Sequence, residues 1–316
     1  MNDILSRIVA KSGVSRGELE DRKKKGFTRI EIQLLEKDLI TEHNTEESIK
    51  ILKDAITELG LDIVSIHAPL SSINWYHLIE YISISNNNSL GDKYSSQVYK
   101  GTLKLTESIA EYSNKMINLI VHTNLSRYQI STAYKKEMID NMAYLVYRYP
   151  NIRYSIENVT PINDQKCFVQ GSFFENVYLC ELLQSEINNE YFATTLDTCH
   201  ALTTCRMIEL LEKLNYGYHN INCIDYKNFF RQNQNTCNNI HLSNVENLGF
   251  NMGEHGIKFE RNSQELVKTL SYIEDFIKDD AYITLEIREK KLDDYLDTKE
   301  LPEYYTILKE TIGNKA

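Results

Sequence analysis

The chain has 316 residues, 42% of them apolar, and a net charge of −10. That length is enough for one large core, and the acidic balance argues mildly against a broad nucleic-acid footprint, which is normally basic, although a local basic groove fits inside an acidic total. With 4 prolines and 12 glycines, nothing reads as collagen-like or as a long disordered linker.

Short apolar runs alternate with longer amphipathic stretches from end to end. The runs at 6–10, 29–34, 62–67, 117–122, 153–157, 192–197, 239–243 and 282–286 read as strands. The first is the weakest, because Ser6-Arg7-Ile8-Val9-Ala10 is short and Val14 to Lys25 is polar. Asn44 is placed to cap a helix with Glu47 three residues on, and Ile49, Leu52, Ile56 and Leu59 then share one face before Gly60. Residues 71–97, rich in Ser, Asn and Tyr, read as an insertion after the third strand, standing above the sheet's carboxyl end as a lid. Helix-spaced apolar positions recur at 131–147, 174–184 and 200–214. Asn262 and Glu265 repeat the capping device ahead of Leu266, Leu270, Ile273 and Ile277, and the tail 290–316 reads as a last helix with Pro302 near its start. Strand–helix alternation repeated eight times implies a parallel sheet closed into a (β/α)8 TIM barrel, as a single domain over 1–316. An open doubly wound sheet is the alternative.

A metal-ligand residue type closes six of these runs. His67 follows Ile63-Val64-Ser65-Ile66, His122 follows Ile117 to Val121, and Glu157 follows Tyr154-Ser155-Ile156. Asp197 and His200 lie in Leu196-Asp197-Thr198-Cys199-His200-Ala201, His241 follows Asn239-Ile240, and Glu286 follows Tyr282 to Leu285. His255 comes after His241, in a loop. Side chains at the carboxyl ends of barrel strands converge on one cavity, so these residues are expected to meet in space. Glu157, Asp197, His241 and Glu286 offer three carboxylates and one imidazole to a single ion. That oxygen-rich set suits Mn2+, Co2+ or Mg2+ at least as well as Zn2+. His67, His122, His200 and His255 are left to complete a second or third metal site or to hold substrate. Plainer readings stand beside these. Asp197 follows an apolar run and could merely cap the next helix. Glu31 is a mouth or structural residue, with substrate contact as its functional reading. His43, His77 and His219 fall outside the pattern and read as surface or packing residues. Cys199 and His200 are adjacent, and adjacent residues do not generally face each other, so they do not read as a nucleophilic pair.

The six cysteines include no C-x-x-C pair and read as reduced, mostly buried thiols of a cytosolic protein. The amino-terminal residues lack the basic-then-apolar pattern of a signal peptide, and no apolar run approaches the ~18 residues of a bilayer span, so a cytoplasmic location without membrane contact is expected.

The runs Ile66-His67-Ala68-Pro69, Val121-His122, Ile156-Glu157-Asn158, Leu196 to Ala201, His241-Leu242-Ser243-Asn244 and Leu285-Glu286 resemble the xylose-isomerase-like barrel superfamily. That group holds sugar isomerases and epimerases and the endonuclease IV type of abasic-site nuclease, AP endonuclease family 2. The resemblance covers about residues 26–287; each motif is short, and their order and strand-end placement carry the match. Asp197-Thr198-Cys199-His200-Ala201 is much like the nuclease branch, in which the acid and the histidine serve different zinc ions. There His67 and His122 match a first zinc site bridged by Glu157, and His255 matches a third. That branch carries an acid two residues before this histidine, where this chain has Gly253, and it opens with a His- and Ser-bearing strand that the stretch around Ile8 lacks. The isomerase branch fits the early chain better, since Lys25 to Ile32 is similar to its second strand, and Gly253-Glu254-His255-Gly256 is tolerable as its loop after the seventh.

The isomerase resemblance implies a divalent metal, a small sugar-like substrate, and Glu157 and Glu286 as catalytic acid and base on opposite faces of the reacting carbon. His200 would hydrogen-bond a substrate oxygen, with Arg288 or Lys258 as anion contacts. The nuclease resemblance implies DNA as partner and three zinc ions, with the metals activating water at a phosphodiester; across the two readings the count is one to three ions. A non-catalytic ligand-binding barrel is the third reading. It loses ground because no expected central ligand is replaced by an inert residue. Assembly into a homo-oligomer is left open.

Overall fold

The structure, a computed structural model, describes residues 2–69, 93–122, 132–159, 174–213, 225–246, 255–287 and 300–313. Eight parallel strands close into a barrel: β1 (Ile8–Ser12), β2 (Arg29–Gln33), β3 (Asp62–His67), β4 (Ile117–His122), β5 (Ile152–Glu157), β6 (Phe192–Asp197), β7 (Cys237–Leu242) and β10 (Tyr282–Leu285). A two-stranded antiparallel pair, β8 (Asn244–Val245) and β9 (His255–Ile257), sits between β7 and β10 in sequence. His255, expected in a loop, is therefore a strand residue whose backbone pairs with Val245. The expected barrel is present, and the open sheet is excluded because β1 pairs with β10 as well as with β2.

Helices follow the strands and bury their apolar faces on the barrel's outer surface. Glu42–Leu59 turns Ile49, Leu52 and Ala55 inward and stops at Gly60, whose φ of 61° is the left-handed conformation glycine adopts without strain. Its cap is Thr41, which accepts a hydrogen bond from the Asn44 backbone N–H, so the helix starts a turn earlier than Asn44. Gln264–Phe276 is likewise capped by Ser263, while Asn262 takes a left-handed φ of 61° just before it. The expected insertion at 71–97 lies outside the described residues up to 92, and its last residues open the helix Lys93–Ser113. The first strand runs to Ser12, two residues beyond expectation, because Asn2–Ser6 is helical.

The barrel interior is polar. Barrels of this kind usually fill with layers of branched apolar side chains. Here Asn238 Nδ2 of β7 donates to Asn118 Oδ1 of β4 at 2.8 Å, across strands that are not neighbours. Ser155 Oγ of β5 lies 2.7 Å from Thr195 Oγ1 and donates to Asn238 Oδ1 at 3.1 Å. Two register shifts build this layer. One between Ile30 and Glu31 sets Glu31 opposite Ser65. The other between Thr194 and Thr195 sets Thr195 opposite Asn239 and leaves Asn238 as the extra residue.

Candidate metal centre

Above that layer the strand-end residues converge. Glu157 is buried at the end of β5 and sits at the middle of the group. Its Oε2 lies 3.0 Å from His67 Nε2 and 3.5 Å from His122 Nε2; its Oε1 lies 3.4 Å from His241 Nδ1 and 3.6 Å from His200 Nδ1. Glu157, Asp197, His241 and Glu286 each offer a ligand atom, all within 4.8 Å of one another, and His67, Glu157 and His241 form a second such set. The rings of His67 and His122 are 5.2 Å apart and those of His122 and His200 are 5.8 Å apart.

Each side chain is held from behind. The Nδ1–H of His67 donates to the Ala68 carbonyl at 2.8 Å, which turns Nε2 toward Glu157. His200 Nδ1–H donates to the Asn158 carbonyl at 2.9 Å, which leaves Nε2 as the unprotonated nitrogen of the neutral ring. Asp197 does cap its helix: Oδ1 accepts the His200 backbone N–H at 2.5 Å. Its Oδ2 remains 4.0 Å from His241 Nδ1, so capping and a place in the cluster coexist in one carboxylate. Asn158 clasps the same residue, accepting from the Asp197 N–H at 2.7 Å and donating to its carbonyl at 3.1 Å.

His241 is fixed by Glu31, which is wholly buried. The Nε2–H of His241 faces both Glu31 oxygens, at 3.0 and 3.2 Å, and so presents Nδ1 to the cluster. Such a carboxylate sets both ring orientation and tautomer in metal-bound histidines. Glu31 Oε2 also accepts from Ser65 at 2.8 Å, Asn239 at 3.0 Å and Thr284 at 3.0 Å. Glu31 is thus beneath the site as the partner of His241, with no surface left for substrate.

The charges are mutually dependent. Burial raises the Glu31 carboxyl, but His241 and Lys11 outweigh it and hold it at about 2. Burial likewise opposes ionisation of Glu157 and Glu286. His241 and His122 hold the first well below the usual carboxylate range, and His241 and Lys11 the second. Asp197 goes the other way, pushed well up by burial and by the charges of Glu286 and Glu157. Burial would strip His241 of its proton, yet Glu286, Glu31 and Glu157 hold it charged well above the ordinary value. Burial keeps His200 neutral, at about 4, against the pull of Glu157.

These residues fit a divalent cation on chemical grounds. Glu286 Oε2 and His241 Nδ1 lie 2.7 Å apart, yet outside hydrogen-bond geometry, so neither atom has a hydrogen-bond partner among the described residues. Buried polar atoms left this way call for an occupant, for which His241 would give up its Nδ1 proton. Three carboxylates and an imidazole are the donor set of a hard-to-borderline ion.

Some expected residues are elsewhere. Lys258 is committed to Glu300 and Glu303, at 2.9 and 2.6 Å, on the helix Glu300–Gly313. Arg288 and the side chain of His255 lie outside the described residues. Cys199 is buried, and burial pushes its thiol up, away from nucleophilic character. One residue of the centre has no counterpart among the expected ones: Lys11 of β1, whose ammonium hydrogen-bonds Glu286 Oε1 and lies 3.5 Å from Glu31 Oε1. A lysine at the end of Ile8-Val9-Ala10 was the available signal.

No protein-family model and no curated protein matches the chain. Solved structures do share its fold. A D-tagatose 3-epimerase-like protein superposes with a TM-score of 0.58 at 17% identity, covering 98% of this chain and 97% of that one. The IOLI protein with a bound zinc atom gives 0.56 at 15%, over 98% and 97%. An AP endonuclease, family 2, from Brucella melitensis gives 0.50 at 12%, over 90% and 94%. The fold is therefore the (β/α)8 barrel that these structures share. Among the described residues, no helix is long and apolar enough to cross a membrane.

Proposed function

We propose that this protein is a divalent-metal-dependent isomerase or epimerase acting on a sugar or sugar-derived hydroxy-carbonyl compound. The observation that carries the reading is the four-residue cluster of Glu157, Asp197, His241 and Glu286 at four strand ends. A cation held there would supply Lewis-acid polarisation of the substrate carbonyl, which would acidify the hydroxyl-bearing carbon next to it. Glu157 and Glu286 are the cluster carboxylates held ionised, the form that a proton acceptor requires. One removes it from that carbon and the other returns one. His200 is neutral with Nε2 unprotonated and accepts a hydrogen bond from a substrate hydroxyl. The likeness to an epimerase-like protein and to a zinc-bound barrel supports this reading. The site lies within a barrel mouth, which suits a small substrate. His255, Lys258 and Arg288 have no role assigned in this mechanism.

A second reading, an AP endonuclease, is favoured by one feature: His67 and His122 both face the second oxygen of Glu157, which gives a second donor group sharing that carboxylate. Metal analysis of the purified protein separates the two. One tightly held Mn2+ or Co2+ per chain is expected, against three Zn2+ for the nuclease. The protein is then incubated in deuterated water with a panel of aldoses and ketoses, and in parallel with a duplex carrying one abasic site. Deuterium at a carbon next to the carbonyl is the expected result. Strand cleavage without exchange overturns the isomerase in favour of the nuclease, and neither activity in a metal-loaded protein leaves the binding-barrel reading.

A further inference from the structure

Lys11 divides Glu286 between two neighbours. Oε1 is on the lysine ammonium, and Oε2 is 2.7 Å from His241 Nδ1, inside the ligand cluster. A carboxylate oxygen engaged by an ammonium has that lone pair spent on a charge-assisted hydrogen bond, which leaves the other oxygen for an ion. The lysine is not free to follow Glu286 if the carboxylate turns. Glu31 faces its ammonium from the other side and is itself fixed by Ser65, Asn239 and Thr284. The Lys11 carbonyl is anchored too, accepting from Arg22 Nε at 2.9 Å. The side chain is only 15% exposed, so solvent screens its charge little.

We propose that Lys11 is a positioning residue that restricts Glu286 to one-oxygen engagement of the bound cation. The second oxygen cannot then fill a coordination position that a substrate oxygen needs. The same fixed positive charge, close to a divalent ion, keeps that ion less tightly held than the donor set alone would hold it. This inference rests on the metal site proposed above, and its test separates the two.

The full-length protein is titrated with Mn2+ by calorimetry and with Co2+ by visible absorption. Wild-type protein that binds neither ion, or D197A that binds both as wild type does, overturns the metal site itself. With the site standing, K11M is expected to bind Mn2+ roughly tenfold more tightly, since both the like charge and the restraint on Glu286 are gone. Its Co2+ absorption should weaken per ion as the coordination number rises. K11R keeps charge and donor and should return the affinity toward wild type. Mn2+ binding in K11M that is unchanged or weaker, a Co2+ spectrum that is unaltered, or K11R as tight as K11M overturns the role of Lys11 and leaves the metal site in place. Circular dichroism checks the fold, and K11Q carries the same test if K11M does not fold.

Discussion

Replacing Glu31 with Gln keeps the shape of a buried side chain and removes its charge. Every neighbour within reach is a donor: Ser65, Asn239, Thr284 and the His241 Nε2–H on Oε2, with the Lys11 ammonium and the same His241 Nε2 3.5 and 3.0 Å from Oε1. A carboxylate serves all five. An amide cannot, because its NH2 must face either the three hydroxyl and amide donors or the two charged ones. His241 can relieve the clash only by giving up its Nε2 proton and keeping the one on Nδ1, the atom that faces the cluster. Two losses follow. The carboxyl held at about 2, against an ordinary 4.5, corresponds to about 3 kcal/mol of stabilisation at neutral pH, in line with the ~3–5 kcal/mol for breaking a buried pair from one side. Metal affinity should fall roughly 10–100-fold, as when the partner of a ligating histidine is removed. The sign with pH follows from the depressed value: the stabilisation is complete above the unfolded value and is lost as pH falls through 4.5 toward 2. The acid limb of the wild-type curve should therefore be steeper than that of E31Q. Urea melts from pH 2 to 7 and Mn2+ titrations at pH 7 measure both effects. Wild-type stability and wild-type Mn2+ affinity in E31Q would refute the assignment of His241's orientation to this carboxylate.

Metal binding should release protons, because His241 is held charged and Asp197 keeps a proton to higher pH than an ordinary carboxyl. Affinity then rises with pH, and calorimetry in buffers of differing ionisation heat should count up to about two protons per ion; none released at pH 7 would contradict it. Glu286→Gln should abolish solvent-hydrogen exchange into substrate while the melting temperature stays near wild type, and retained exchange would remove Glu286 from the chemistry. Asn158→Ala strands the Asp197 N–H in a buried setting and should cost about 1–3 kcal/mol in denaturant melts. Parity with the parent would show the clasp to be idle. Tyr154 is buried with a hydroxyl that finds no partner among the described residues, so Tyr154→Phe should gain about 1 kcal/mol, and a loss of stability would expose a hidden partner.

The strand ends were readable because each ligand closes an apolar run: β3, β4 and β6 match the expected bounds, and β5 begins one residue earlier. Elements with polar sequence were not. β7 begins at Cys237, two residues before expectation, because Asn238 and Asn239 point into a hydrogen-bonded interior that apolar periodicity does not see. The same blindness hid Lys11, which looks like the end of a strand when the interior is assumed to be oily. Helix starts shifted for a related reason. Glu42 and His43 are exposed and carry no apolar stripe, so the pattern reveals that helix only after its first turn. Glu31 could be placed at the mouth from the resemblance, but its role needed the register shift that sets it opposite Ser65, and a shift of pairing leaves no mark on a single strand.

The pairing of β1 with β10 has a temporal consequence. At one end of this seam Arg7 donates to the Ala281 and Lys278 carbonyls, and at the other Lys11 grips Glu286. The first strand of the barrel therefore waits for the last one to be made. A nascent chain still short of Tyr282 has an unmated edge on each side and lacks one member of the four-residue cluster, so it can neither close nor hold an ion in the finished manner. Closure of the barrel and completion of the cluster should emerge together, when β10 has been made.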